Sequence, residues 1–597
     1  MGLLSSAFLG LFAILVAVLG PAVIHMIRIC GPFQTPHPTV LGAGQGPIVI
    51  EDTVHCEDLH YHRPANLLFT ACEDAKDIRF GWFPGLGHLD AKAVGQGSIH
   101  VVDPKTFKST RLAFENFNGP FVTHGIDVIE DPQDSAAVYI FAINHLPNPE
   151  FTPDSPDISA ARSQIELFHH ILHSTTVQHV RSIQHPLIQT PNDIYAASPT
   201  SFYVTNDHFY RSGFLRLVED IWPSAKWSNI VHVHLEQLHS VPSATASLTA
   251  SIAHQGLWNN NGLGHARSDS EVVISSAVGG ELYLATRENN NTLTVRDTIV
   301  FDTVTDNPSY YADPYKSDVH DASGFVVAGI SQSFYLPQTA RDPNALDPVQ
   351  VWYAKEEKGG SGTRGKGNGW EKRLLFEDDG RRIRTASSAV LVPVDNAEGK
   401  EGLKKAWLFV TGFLSESMIA VLVELGKDAQ EILPIVDLRT KGPGLFLPMV
   451  RRSRTQANLS HTSGPYRGLR KQPHALFRPP SQLLPRITVE AGWSESYNDL
   501  LGDMNKLLVG GNGDIKIVII VKWTKYTNQT VSGILELYRL DPQGIPRRCQ
   551  SEIIFPTPAG DPLQQLDIKR RDLNLVPPSR NPHEAFPFNI GLLRYIV

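Results

Sequence analysis

Three stretches of this chain set a carboxylate beside an amide: Asn192-Asp193, Asn206-Asp207 and Asp306-Asn307. Further polar groups stand in Cys56-Glu57-Asp58-Leu59, Thr123-His124-Gly125-Ile126, Ile143-Asn144-His145 and Asn260-Asn261-Gly262. A strand-rich chain ordinarily places plain turns in such stretches. Oxygens from carboxylates and amides are what a hard cation such as calcium takes, typically about six to eight of them. Histidine offers a second chemistry, because its ordinary pKa lies near neutrality and it can take or give a proton there. The chain has 24 histidines, so they are the first place to look for acid–base groups. Read singly, each Asn-Asp pair is also an ordinary Asx-turn between strands. Residue types alone leave both readings open.

The elements that must position these groups are short strands. Runs such as Gly46-Pro-Ile-Val-Ile, Asn66-Leu-Leu-Phe-Thr, Ala137-Val-Tyr-Ile-Phe-Ala-Ile, Ser201-Phe-Tyr-Val-Thr, Glu271-Val-Val-Ile-Ser, Gly324-Phe-Val-Val-Ala-Gly and Ala406-Trp-Leu-Phe-Val-Thr-Gly recur with turn residues between them. Long helical periodicity is nearly absent beyond the N-terminus. Room for more than twenty short strands predicts an all-β fold, and a propeller over a sandwich. Residues 46–426, shared among six blades, give about 63 residues each, although no blade signature such as a WD repeat marks the repeats. In a propeller the loops of all blades meet at one channel, so ligands scattered over the chain can converge.

Composition narrows the function classes. Among 597 residues, 53 are Lys or Arg and 61 are Asp or Glu, a formal net charge of −8. That excludes a nucleic-acid binder working through bulk positive charge, and no nucleic acid is expected as a partner of the propeller. Four cysteines without a CxxC pair exclude a disulfide-dense scaffold and a zinc array. Cys56 and Cys72 flank an expected hairpin and are close enough in sequence for a local disulfide in an oxidising compartment. No Gly-x-Ser-x-Gly elbow supports a serine hydrolase. Gly359–Gly369 reads as a flexible insertion that lacks the Walker pattern.

From Gly2 to Val23 there is no charged side chain, about the span a bilayer needs. Residues 1–27 are therefore expected to be an uncleaved signal-anchor, with a cleaved signal peptide as the rival, followed by a connector over 28–45. This predicts a membrane-anchored protein, lumenal or extracellular. Three glycosylation sequons, at Asn290, Asn458 and Asn528, are consistent with secretion. Residues 427–485, rich in Arg, Pro, Ser and Gly, read as a linker. Residues 486–597 read as a small α/β accessory domain of unknown function, with strands at Ile515–Lys522 and Gly533–Tyr538.

Taken in order, Glu57-Asp58-Leu59, His124-Gly125-Ile126, Asn144-His145-x-Pro147, Asn192-Asp193-Ile194, Phe202-Tyr203-x-Thr205-Asn206-Asp207-His208, Asn261-Gly262 and Asp306-Asn307 resemble the paraoxonase/arylesterase family of calcium-dependent six-bladed propeller hydrolases, related to the gluconolactonase and strictosidine-synthase-like proteins. The resemblance runs over about residues 50–425. It implies two calcium ions. Glu57, Asn192, Asn261, Asp306 and Asn307 would hold a catalytic one, and Asp58, Asp193 and the carbonyl of Ile126 a structural one. His124 and His145 match the family's histidine pair, as general base and proton relay. His208, beside the motif, is given a structural or pocket-wall role. The implied activity is hydrolysis of a carboxylic ester or lactone, and the implied partner is that small-molecule substrate. A reading from another class is a non-catalytic propeller that keeps calcium for stability and binds a partner through its rim.

Two departures stand out. Family members commonly tie the first and last strands together by a disulfide, but the matching late position here is Val423. Long inserts at 208–255 and 337–385 are expected to reshape the channel mouth, where substrate preference is set.

Overall fold

The computed structural model describes residues 20–36, 46–152, 154, 158–317, 321–357, 369–394, 404–425, 475–477, 486–492, 496–511, 513–525, 531–555, 566–569 and 572. The chain divides into two compact units, residues 1–427 and 428–597.

The first unit is a β-propeller. Its described residues form six sheets of four or five strands, antiparallel except where Ala113–Glu115 pairs parallel with Thr176–Ile183, and most neighbouring strands are consecutive in the chain. The innermost strands are Leu59–His62, Thr123–Asp131, Pro191–Ser198, Asn260–His265, Pro308–Tyr311 and Ala386–Pro393. Each packs beside the next, and the last returns to the first, so the sheets stand in a ring. Ring closure is by strand pairing: Ile48–Ile50 joins the sheet of Ala386–Pro393, Lys405–Gly412 and Met418–Glu424, with Ile48 opposite Ala420. Hydrogen bonds thus make the closure for which the family's disulfide is missing. Cys56 instead bonds Cys72 across the neighbouring sheet.

Alternation along the strands supplies the glue between blades, since successive side chains point to opposite faces. In Asp134–Pro147, Val138, Ile140 and Ala142 pack with Phe69, Ile99 and Phe168 toward one neighbour. Tyr139, Phe141 and Ile143 pack with Ile194, Phe202 and Val231 toward the other. Similar apolar clusters lie between each further pair of sheets, such as Val326, Val351, Leu391 and Leu408. Each fully buried Leu, Ile, Val or Phe side chain contributes about 1.5–3 kcal/mol, so these interfaces fix the blades and hold the channel ends in register.

Residues 20–30 form a helix lying on the propeller, with His25 Nε2 at 3.0 Å from the carbonyl of Val278 and Ile29 buried. No described helix is long and apolar enough to cross a membrane. Most of the apolar leader, residues 1–19, and the insertion at 358–368 lie outside the described residues. Within the insert at 208–255, Phe214–Ile221 is a helix that strand periodicity did not reveal.

The described residues of the second unit form a five-stranded sheet and a helix, Tyr497–Gly510, crossing between the parallel strands Ile487–Gly492 and Ile517–Lys525. The helix buries Leu500, Met504, Leu507 and Leu508 against Val518 and Ile520, while Ile517, Ile519 and Val521 face the other way. A strand apolar on both faces is what a sheet covered on both sides requires. Within the span read as a linker, the short apolar run Ala475–Phe477 pairs antiparallel with Ile487–Val489.

Candidate functional site

The polar stretches fall on or just before the inner strands. Glu57 and Asp58 precede Leu59–His62, and Asp306 and Asn307 precede Pro308–Tyr311. Asn192 and Asp193 lie in Pro191–Ser198, Asn261 in Asn260–His265, and His124 in Thr123–Asp131. The ring brings them together. Asn307 Nδ2 donates to Glu57 Oε1 at 3.0 Å. His124 Nε2 stands 4.0 Å from the same oxygen and 3.3 Å from Asn192 Nδ2. Glu57 is held from behind, where its backbone carbonyl accepts from the hydroxyls of Ser387 and Thr411.

Two glycines permit this closeness. A Cβ on Gly125 would come within 2.4 Å of Asp193 Oδ1 and 2.6 Å of the Asn192 carbonyl. One on Gly262 would come within 2.6 Å of Asn307 Cα. Neither neighbour is the flexible end of a long side chain, so any other residue would push the inner strands apart.

Adjacent residues point to different sides, and the oxygens divide accordingly. Glu57 Oε2, Asn192 Oδ1, Asn261 Oδ1 and Asn307 Oδ1 are buried without any hydrogen-bond partner. A buried acceptor left unpaired costs about 1–3 kcal/mol, so four together call for a cation, and carboxylate with amide oxygens is a calcium-type set. Asp306, half-buried beside them, completes the set named from the sequence. Burial raises its carboxyl well above the ordinary range, and so does Asp58. Glu57 is raised by burial and then by Asp306 and Asp58, the repulsion a bound cation relieves.

The second set is different. Asp58 accepts from the N–H groups of Leu59 at 2.7 Å and Ile126 at 3.0 Å. Asp193 accepts from Ile194 at 2.7 Å and Leu263 at 2.6 Å. All four oxygens are therefore bonded to backbone, and the amide of Ile126 is what faces Asp58. Asp193 is nonetheless raised by burial and then by Asp58 and Glu57, so the two acids share the electrostatic load of the first set.

The histidines form a chain leading away from these oxygens. His124 Nδ1 is 2.9 Å from His145 Nε2, and His145 Nδ1 is 2.7 Å from Ser163 Oγ. The Asn192 Nδ2 amino group can only donate, which makes His124 Nε2 the acceptor and puts the proton on Nδ1. Burial holds His124 well below its ordinary pKa, with His145 and the Arg79 guanidinium adding to the effect. Burial and Arg79 push His145 down to about 3. Both rings are thus neutral at pH 7.

Sequence reasoning missed the walls of this site. Phe83 lies edge-on to both imidazoles, with ring centroids 4.9 Å from His124 and 5.9 Å from His145. Trp82 Nε1 donates to the His145 carbonyl at 2.7 Å. Arg79, fully buried, stacks 4.2 Å above the Phe83 ring and donates to Glu73 at 3.0 Å and to the Thr123 carbonyl at 2.9 Å. No motif links these positions, and only the stretch Arg79-Phe80-Gly81-Trp82-Phe83, dense in aromatics, hinted at them. His208 stands apart from the relay, with Nδ1 at 3.0 Å from Asp207 and Nε2 at 2.7 Å from Asp220. Asn206, at the end of Ser201–Asn206, is fully engaged by neighbouring segments, accepting from Gln189 and Thr190 and donating to Leu187 and Asn229.

Comparison with known proteins agrees with the sequence reading. Residues 80–323 match the arylesterase family model. Serum paraoxonase/arylesterase 2 of Rattus norvegicus is 27% identical over 241 residues, and that of Homo sapiens 26% over 241; each match covers 40% of this chain and 59% of the relative. Serum paraoxonase/arylesterase 1 of Mus musculus is 29% identical over 199 residues, covering 33% of this chain and 48% of the relative. Among solved structures, a luciferin-regenerating enzyme is similar at 11% identity and TM-score 0.34, covering 64% of this chain and 97% of that one. A periplasmic gluconolactonase of Pseudomonas aeruginosa is similar at 11% identity and TM-score 0.27, covering 62% and 86%. The matched stretch holds His124, His145, Asn192, Asp193, Asn261, Asp306 and Asn307, whereas Glu57 and Asp58 lie ahead of it.

Proposed function

We propose that this chain, arylesterase-like over residues 80–323, is a calcium-dependent hydrolase of carboxylic esters or lactones. The observation that carries the proposal is the group of four unpartnered buried oxygens, on Glu57, Asn192, Asn261 and Asn307, beside the His124 imidazole. With Asp306 they would hold the ion. Calcium bound there supplies a Lewis acid that polarises a carbonyl oxygen and stabilises the negative charge growing on it.

The chain's own residues handle the proton. His124 Nε2, the atom facing Glu57 and Asn192, takes it from a water attacking the substrate carbonyl. The Nδ1 proton then passes to His145 Nε2, whose own Nδ1–H is directed at Ser163 Oγ. Phe83 covers the flank of the pair, and burial keeps both rings neutral. A second calcium at Asp58, Asp193 and Ile126 has weaker support, because it is the Ile126 N–H and not its carbonyl that bonds Asp58. The Cys56–Cys72 disulfide suits a lumenal or extracellular location, to which the leader would deliver or anchor the chain.

The test is a panel of phenyl acetate and aliphatic lactones run on purified protein with and without chelator. Turnover that is lost on chelation and restored by calcium supports the proposal. Calcium binding with no turnover across the panel refutes it and leaves a binding propeller.

A further inference from the structure

A second cluster lies further along the inner strands. His60, Asp127 and His265 come from three different blades, in Leu59–His62, Thr123–Asp131 and Asn260–His265. His60 stands three residues beyond Glu57, Asp127 three beyond His124 and His265 four beyond Asn261, so at about 3.3 Å per residue they sit roughly 10–13 Å along the inner strands from the calcium-type site.

Two imidazoles converge on one carboxylate. His60 Nδ1 is 2.7 Å from Asp127 Oδ1, and His265 Nε2 is 2.8 Å from Asp127 Oδ2. The three ligand atoms all lie within 4.8 Å of one another, and the two rings are nearly perpendicular, at 84°. The carboxylate is fixed from behind by the N–H groups of Val128 at 2.9 Å and Ala196 at 2.7 Å. Such outer hydrogen bonds orient a ligand before the metal arrives. Asp127 is buried, whereas the His265 side chain is 43% exposed, which gives an ion a way in and leaves positions for water.

We propose that His60, Asp127 and His265 bind a zinc-class divalent transition ion, at a site separate from the calcium-type oxygens. Two imidazoles and a carboxylate suit zinc and its first-row neighbours, whereas calcium takes oxygen-rich sets. The ion would pin three inner strands together at this end of the channel, whatever the upper site hydrolyses.

The experiment uses the full chain, stripped of metal, held in millimolar calcium and titrated with zinc sulfate by calorimetry. Cobalt(II) absorption reports the ligand field in parallel. The wild type is expected to take one zinc equivalent over calcium and to melt higher with zinc. His60→Ala and His265→Ala should bind at least tenfold more weakly and lose the melting shift, while the exposed His173→Ala keeps both. If an alanine variant misfolds, His265→Gln retains a donor toward Asp127, and the same loss is required of it. A wild type that takes no zinc equivalent in the presence of calcium overturns the proposal. So does a folded His265 variant that binds zinc and gives a cobalt spectrum like the wild type.

Discussion

Removing calcium should cost the propeller a large and calculable part of its stability. Without the ion, Glu57 Oε2, Asn192 Oδ1, Asn261 Oδ1 and Asn307 Oδ1 have no partner. At about 1–3 kcal/mol for each buried acceptor the penalty is roughly 4–12 kcal/mol, against a typical net stability of about 5–15 kcal/mol. An unfolding entropy of about 2.1 cal/mol/K per residue gives a unit of about 380 residues roughly 0.8 kcal/mol/K. The expected fall in Tm is therefore about 5–15 °C. Differential scanning calorimetry of the full chain, before and after chelation and with residual calcium counted by mass spectrometry, measures it. Magnesium, which demands a tighter octahedral site, should not restore the loss. Asn192→Leu sharpens the test, because it removes one orphaned oxygen: the calcium-loaded form melts lower, the calcium-free form does not, and the gap narrows. A wild-type gap under about 2 °C with calcium demonstrably gone would refute the assignment of these oxygens to an ion.

Three further outcomes are expected. His124→Gln should lower kcat on phenyl acetate by about 10²–10⁴ with the calcium-dependent Tm gap intact, whereas Ser163→Ala, at the far end of the relay, should cost less; steady-state kinetics with melting curves on each variant checks both. Arg79→Met strands the buried Glu73 carboxylate, and breaking a buried pair costs about 3–5 kcal/mol; the double variant Arg79→Met/Glu73→Gln should recover part of that in denaturant titrations. Burial opposes the charge on His208, but Asp207 and Asp220 overcome it and lift the imidazole to about 9. A raised histidine contributes stability that is complete below its unfolded pKa, about 6.5, and is lost as pH climbs through 9. The Tm gap between wild type and His208→Gln should accordingly be wide at pH 6 and close by pH 10; a gap constant across that range would remove the charged histidine from the account.

The fold was legible wherever a strand buries both faces. The run Ala137–Ile143 announces itself by apolar residues on each side, and the structure spends one side on each neighbouring blade. Elements whose stability comes from contacts were not legible. Phe214–Ile221 is a two-turn helix fixed by the buried Glu219 carboxylate, which accepts from the N–H groups of Phe209 and Tyr210. Ser163 and Phe83 act only through where the ring places them. His60, Asp127 and His265 lie too far apart in sequence for any spacing rule to join them. The acid–amide pairs show why residue type was necessary and insufficient. Asn206-Asp207 is the same dipeptide as Asn192-Asp193, yet Asn206 has its side chain saturated by four hydrogen bonds to residues distant in the chain, neither a local Asx-turn nor a free ligand. Asn192 keeps a buried oxygen with nothing to accept from. The difference between a structural amide and a ligand is therefore the balance of donors around the amide, which depends on neighbouring blades and is invisible in the dipeptide. It also yields a rule for this ring: the asparagines that matter for calcium are those whose substitution by leucine costs stability only when the ion is present.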